Sequence, residues 1–185
     1  HDVRVFDNSI SDNNTDNFAP EGNIVGEVPR GTGIIIMANS NVEIFNNQIE
    51  DHETVGIAVV SYINDDDSVD FTDSGYYPHP KSVQIHNNAI SRSGNNPDLD
   101  KDIASILFEI SKGDMPDVFW DGVLPIKQMI LGQPEEDRLI IKDNGEIGFA
   151  VMNPIRYMLS LPNQLSRDQS AYSGTITPLT PVIID

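Results

Sequence analysis

Cysteine is absent from the 185 residues. Disulfides, thiol nucleophiles and Cys-ligated zinc or iron–sulfur centres are therefore excluded, and the redox compartment is left open. Positive charge is scarce, with 11 Lys+Arg against 29 Asp+Glu and a formal charge of −18. That balance repels phosphate backbones and anionic bilayers, so nucleic acid and membrane surfaces are not expected partners. No apolar run approaches the roughly 18 residues of a membrane span. Neither a Gly-rich phosphate loop nor a Gly-x-Ser-x-Gly elbow occurs. The chain opens at His1 without a start Met or a basic-then-apolar leader, which reads as a processed or excised piece of a longer product.

Leucine and alanine are also sparse, at 9 and 7, beside 23 Ile and 14 Val. β-Branched side chains suit a pleated surface and restrict helical rotamers. The 17 Asn add corners, because Asn tolerates left-handed backbone and bonds its own main chain at turns. Composition alone therefore predicts an all-β chain of short strands and tight corners.

Self-similarity gives the strands an order. Three octets align without gaps: VRVFDNSI (Val3 to Ile10), VEIFNNQI (Val42 to Ile49) and VQIHNNAI (Val83 to Ile90). Between them lie GIIIM (Gly33 to Met37) and GIAVV (Gly56 to Val60), with DIASI (Asp102 to Ile106) as a weaker third copy. One uninterrupted repeat takes about 23 residues, and the longer octet spacing is absorbed by loops 11–32 and 61–82, rich in Asp, Asn, Gly and Pro. A propeller blade is disfavoured because those loops hold no strand pattern and the one Trp-Asp pair, Trp120-Asp121, falls outside the repeats. Leucine-rich repeats would need Leu where Ile and Val stand.

A unit of this size cannot bury its own apolar face; stacking the next about 4.8 Å above it builds a common core. The expected architecture is a right-handed, single-stranded parallel β-helix of three to four coils. Its coils occupy residues 1–110, and 111–185 form a degraded last coil (Arg138 to Gly145) and an irregular C-terminal cap. Val3, Val5, Ile10, Val42, Ile44, Ile49, Val83, Ile85 and Ile90 point inward. Asn8, Asn47 and Asn88 stack as a corner ladder. The first coil has no cap, so either missing preceding coils or another protein chain is expected to cover its open face.

These Asn-Asn-x-Ile corners and Gly-Ile-x-Val strands resemble the parallel β-helix repeat proteins of bacteria, broadly the pectate-lyase-like superfamily, and most closely exported paired-repeat members of unassigned function. The resemblance covers residues 1 to about 110. It implies a secreted, periplasmic or cell-surface protein whose partner is a polysaccharide, often an acidic one.

Three groups of residues then stand out. Asp65, Asp67 and Asp70 in the second loop supply clustered oxygen ligands of the kind Ca²⁺ requires, though without an EF-hand frame; a solvated acidic loop is the plain alternative. Tyr77, His79, Lys81 and Arg92 could serve a uronate lyase or epimerase, which needs a base, a positive charge on the carboxylate and an acid. Tyr77-Pro78-His79-Pro80 partly resembles an alginate-epimerase element, but no Asp follows His79, and a Pro-stiffened turn explains the same residues. Phe6, Phe45 and His86 form one outward column, either a platform for sugar rings or a strip covered by later residues. The expected function is polysaccharide recognition or scaffolding. The alternatives are a Ca-dependent lyase or epimerase, and a structural subunit.

Overall fold

A computed structural model describes residues 1–20, 22–63 and 77–180. The chain threads three sheets in a repeating order. In the first passage β1 (Val3–Phe6), β2 (Ser9–Ser11) and β3 (Thr32–Met37) enter the first, second and third sheets. In the second, β4 (Ser40–Phe45), β5 (Gln48–Glu50) and β6 (Val55–Val60) lie on them. The third passage adds β7 (Lys81–His86) and β8 (Ala89–Ser91), then helix α1 (Asp102–Ser111), then β9 (Val118–Trp120). Helix α2 (Ile126–Leu131) precedes β10 (Ile140–Lys142) and β11 (Phe149–Met152), which close the first and third sheets. After α3 (Pro154–Met158), β12 (Leu165–Ser166) pairs antiparallel with β11. All other ladders are parallel. This succession of parallel sheets is compatible with a β-helix.

Register aligns like residues from passage to passage. Val5, Ile44, Ile85 and Ile141 are successive partners, as are Ile10, Ile49 and Ile90. Ile44, Ile49, Ile57 and Ile85 are completely buried, whereas Val5 and Ile10 in the first layer are only partly covered. The corner between the first two sheets explains the Asx-Asn pair of each octet. Asp7, Asn46, Asn87 and Asp143 all take left-handed backbone with φ of 55–56°, a conformation Asp and Asn tolerate better than other residues with a side chain. The following Asn turns inward.

Those asparagines form a ladder one rung longer than the octets predicted. Asn8 Nδ2 donates to Asn47 Oδ1, Asn47 Nδ2 to Asn88 Oδ1, and Asn88 Nδ2 to Asn144 Oδ1, each at 2.9 Å. Each Oδ1 also accepts the backbone N–H of the preceding rung, at 3.0–3.1 Å. Asn88 further donates to the carbonyls of Ile44 and His86, both at 3.0 Å. A buried amide so completely used stabilises the corner, and losing it would strand several buried partners at once.

Three expectations need correction. Asp102 to Ile106 is not a strand but the start of α1, because Ile103, Leu107 and Ile110 recur at helical spacing and pack on the outer face of the third sheet. The third strand of that sheet is Val118–Trp120, so Trp120 belongs to the stack, paired with Val59 and Val151. The chain is accordingly mostly β, with three α-helices among the described residues, rather than all-β. With α1 outside and the core inside, all six residues of β6 are buried, which is why VGIAVV is apolar throughout.

Truncating Ile44 to Ala is expected to cost about 2–5 kcal/mol. Asn88→Ala should cost about 2–4 kcal/mol, and Asn8→Ala, at the exposed end of the ladder, only about 1 kcal/mol. Urea unfolding followed by circular dichroism measures all three; equal costs for Asn8 and Asn88 would remove the ladder from the energetics.

Candidate functional site

Two outward columns face away from the core on the first sheet. In one, Arg4, Glu43, Gln84 and Ile140 are successive partners; in the other, Phe6, Phe45, His86 and Lys142. The rings of Phe6 and Phe45 stack at 5.1 Å and 9°, and those of Phe45 and His86 at 5.4 Å and 6°. Their faces are thus turned toward each other. The Arg4 guanidinium flanks the stack, 5.5 Å from the Phe6 ring centre and 5.2 Å from that of Phe45. Phe6, at the end of the column, is 45% exposed.

Glu43 organises this face, a role its place in the octet does not announce. Its carboxylate is buried, accepts from Arg4 Nε at 3.1 Å, lies 3.2 Å from His86 Nε2 and accepts the backbone N–H of Leu179 at 3.2 Å. The tail is held again at Gln84, whose Nε2 donates to the Thr177 carbonyl and whose Oε1 accepts the Thr177 N–H, both at 2.6 Å. Residues 173–180 therefore cross the Glu43–Gln84 column and leave a cavity of about 580 Å³ beside it, lined in part by Asn41, Ser82, Gln84 and Arg138. The partners lie 93 and 136 residues apart, so no local sequence signal marks them.

Tyr77, His79 and Lys81 come together where the chain re-enters the first sheet. Tyr77 and His79 meet edge to face at 5.4 Å, and Lys81 Nζ lies 5.2 Å from the Tyr77 ring centre. Arg92 is not with them. It follows β8 and binds Glu50 and Asp51 at 2.5 Å, and this guanidinium holds the Asp51 carboxyl below its ordinary range. Burial pushes the Tyr77 phenol up, so it stays protonated at neutral pH. Asp65, Asp67 and Asp70 lie outside the described residues; among the described residues no cluster of three or more His, Asp or Glu is arranged to hold a metal.

His79 is tied into a set that sequence reading did not connect. Its Nδ1 lies 3.2 Å from both Ser61 Oγ and the Val123 carbonyl, and Ser61 Oγ donates to that same carbonyl at 3.0 Å. A carbonyl only accepts, so the Nδ1 that bonds it carries the proton and cannot take one from Ser61. Asp121 completes the set by accepting the N–H groups of Ser61 at 2.6 Å and Val123 at 3.0 Å. Ser61, His79 and Asp121 thus fasten the loop ends beside β6 and β9 rather than form a proton relay of the catalytic-triad kind. No protein-family model, no curated protein and no solved structure matches the chain.

Burial pushes the Asp121 carboxyl up from 3.8 to about 6, against the two backbone bonds that favour its charged form. The folded state therefore holds this proton more tightly than the unfolded chain. Stability from the group is fully present below pH 4 and is lost as pH rises through 6, at most about 3 kcal/mol in all. His52 and His79, whose values burial pushes down, act oppositely: their contribution is present above pH 6.5 and lost on acidification. Comparing wild type with Asp121→Asn cancels the shared histidines. The stability of wild type relative to the variant, from urea unfolding, is expected to fall between pH 4 and pH 7; a constant difference contradicts the assignment.

Proposed function

We propose that the chain is a right-handed parallel β-helix module of an exported bacterial protein, and that it recognises polysaccharide on the outer face of its first sheet without transforming it. The observation that carries this reading is the column of parallel rings ending at Phe6. A saccharide ring stacked on the open Phe6 face would continue the order set by Phe45 and His86, with the Arg4 guanidinium alongside for a hydroxyl or carboxylate. The cavity between this face and the tail offers amide and hydroxyl groups nearby.

A Ca-dependent lyase or epimerase has less support. Of its four groups, Arg92 is committed to two carboxylates elsewhere and His79 is tied to Ser61 and Val123, which leaves Tyr77 and Lys81. Ca²⁺ on Asp65, Asp67 and Asp70 belongs to the recognition reading equally well. End-on docking to another protein chain is a second reading, favoured by β1, β2 and β3, each of which pairs on one side only.

Affinity electrophoresis through gels containing pectate, alginate or a neutral glucan tests these readings together. Phe6→Ala is expected to lose retention by about tenfold in affinity, Phe45→Ala by a smaller factor because that ring is already sandwiched, and chelation of Ca²⁺ to weaken retention further. Unchanged mobility of both variants on every polymer would sink saccharide recognition. If concentration-dependent dimers also appeared in sedimentation, the reading would pass to end-on docking.

A further inference from the structure

The tail crosses the first sheet rung by rung. Gly174 lies against Ile140, where a Cβ would come within 3.0 Å of the Ile140 side chain; Thr177 then bonds Gln84, and Leu179 bonds Glu43. Ile140, Gln84 and Glu43 are successive partners in one column, so the segment runs across the strands rather than along them. Gln84 treats it as a neighbouring strand would, giving one hydrogen bond to the Thr177 carbonyl and taking one from the Thr177 N–H.

Little else holds the segment down. From Gly174 to Thr180 it makes no backbone-to-backbone hydrogen bond among the described residues, and only Ile176 and Leu179 are half-buried; the others are exposed. A stretch with few buried apolar contacts opens locally at far lower cost than the core strands. Beneath it the situation is reversed. Glu43 and Gln84 are buried polar residues, and Arg4 at 3.1 Å and His86 at 3.2 Å hold the Glu43 carboxylate whether or not Leu179 is present. The sheet thus sets a carboxylate and a carboxamide side by side, next to the Phe45–His86 rings, and occupies them with main chain. Those groups suit sugar hydroxyls equally well, since a hydroxyl can donate to the carboxylate and both give to and take from the amide.

We infer that residues 173–180 are a releasable, autoinhibitory strap: they mask the Glu43–Gln84 column, and a saccharide extending from the ring column displaces them by taking over their hydrogen bonds. The inference rests on saccharide recognition at the first sheet and adds its regulation. Tail and ligand compete for the same two side chains. Being tethered, the tail competes at a high effective concentration, so the intact chain binds more weakly than its exposed face would.

Two variants free the column without altering it: deletion of residues 173–185, and Thr177→Pro in the full chain, which removes the N–H that Gln84 accepts. Each is expected to tighten retention on pectate, alginate or a neutral glucan by about tenfold in affinity. Added in trans, the peptide SGTITPLT, residues 173–180, should bind the truncated chain saturably in calorimetry and reverse its gain. The same peptide carrying Thr177→Pro should do neither. A truncated chain that no longer unfolds cooperatively in urea would make the tail a structural cap and overturn the strap. Unchanged retention of both variants on a polymer that wild type binds would also overturn it, while leaving recognition at Phe6 in place. Retention of none of the three chains on any polymer is a distinct result, which removes recognition itself and the strap's role with it.

Discussion

Every layer of this protein leaves unmet what only the next layer can supply: backbone N–H and carbonyl groups along its strands, and an interior of Val and Ile. The two demands share one spacing. Parallel pairing brings Ile44 over Val5 and Ile85 over Ile44, so the register that satisfies the hydrogen bonds also closes the core. The asparagine ladder prevents slippage, since a shift of one residue would bury Asn46 or Gln48 where Asn47 belongs and turn the aliphatics outward. Corners and core are therefore a single constraint, and the surrounding loops are free to differ in length.

That freedom is what gives the protein its surfaces. Insertions enter at corners: between β2 and β3, between β6 and β7, with α1 between β8 and β9, and with α2 between β9 and β10. The α1 insertion returns to cover the third sheet and makes it apolar on both faces. The first sheet is covered differently, by a tail that Glu43 and Gln84 hold in place of a helix. The second sheet, short and rimmed by Gln48, Glu50 and Arg92, carries an exposed ion-pair cluster that salt screens and that contributes little to stability. Of the three outer faces, the first is the one that combines rings, a buried charge network and an adjoining cavity.

The octets made the first two sheets legible because each carries its inward aliphatics and its corner pair within eight residues. Beyond them the signal thinned for identifiable reasons. The third copy of the third-sheet strand, Val-Phe-Trp, has neither the Gly nor the Ile of its predecessors, and a 26-residue excursion separates it from β8. Ile103 and Ile106 resemble a strand over five residues and resolve as a helix only when Leu107 and Ile110 extend the period. Asn144 sat in a stretch already recognisable as a degraded repeat, and its place after Asp143 was the available sign of a fourth rung. The partners of Glu43, Gln84 and His79 are set by tertiary packing across tens of residues, and nothing in their local sequence encodes them. Asp65, Asp67 and Asp70 were legible as an acidic loop and lie outside the described residues.

The absence of cysteine allows the central constraint to be tested by cross-linking alone. Gln48 and Ala89 are exposed register partners on the parallel strands β5 and β8, and Ile49 faces Ile90 between them and the strand ends. Parallel neighbours bring such partners within the roughly 4.4–6.8 Å between Cα atoms that a disulfide spans. A Gln48→Cys/Ala89→Cys double variant should close its bridge rapidly under mild oxidation and remain folded, whereas Gln48→Cys/Ser91→Cys should stay reduced. Antiparallel strands sharing the Ile49 and Ile90 contact would place Gln48 opposite Ser91, so the reverse outcome, closure of the second pair and not the first, would contradict a core built from parallel layers.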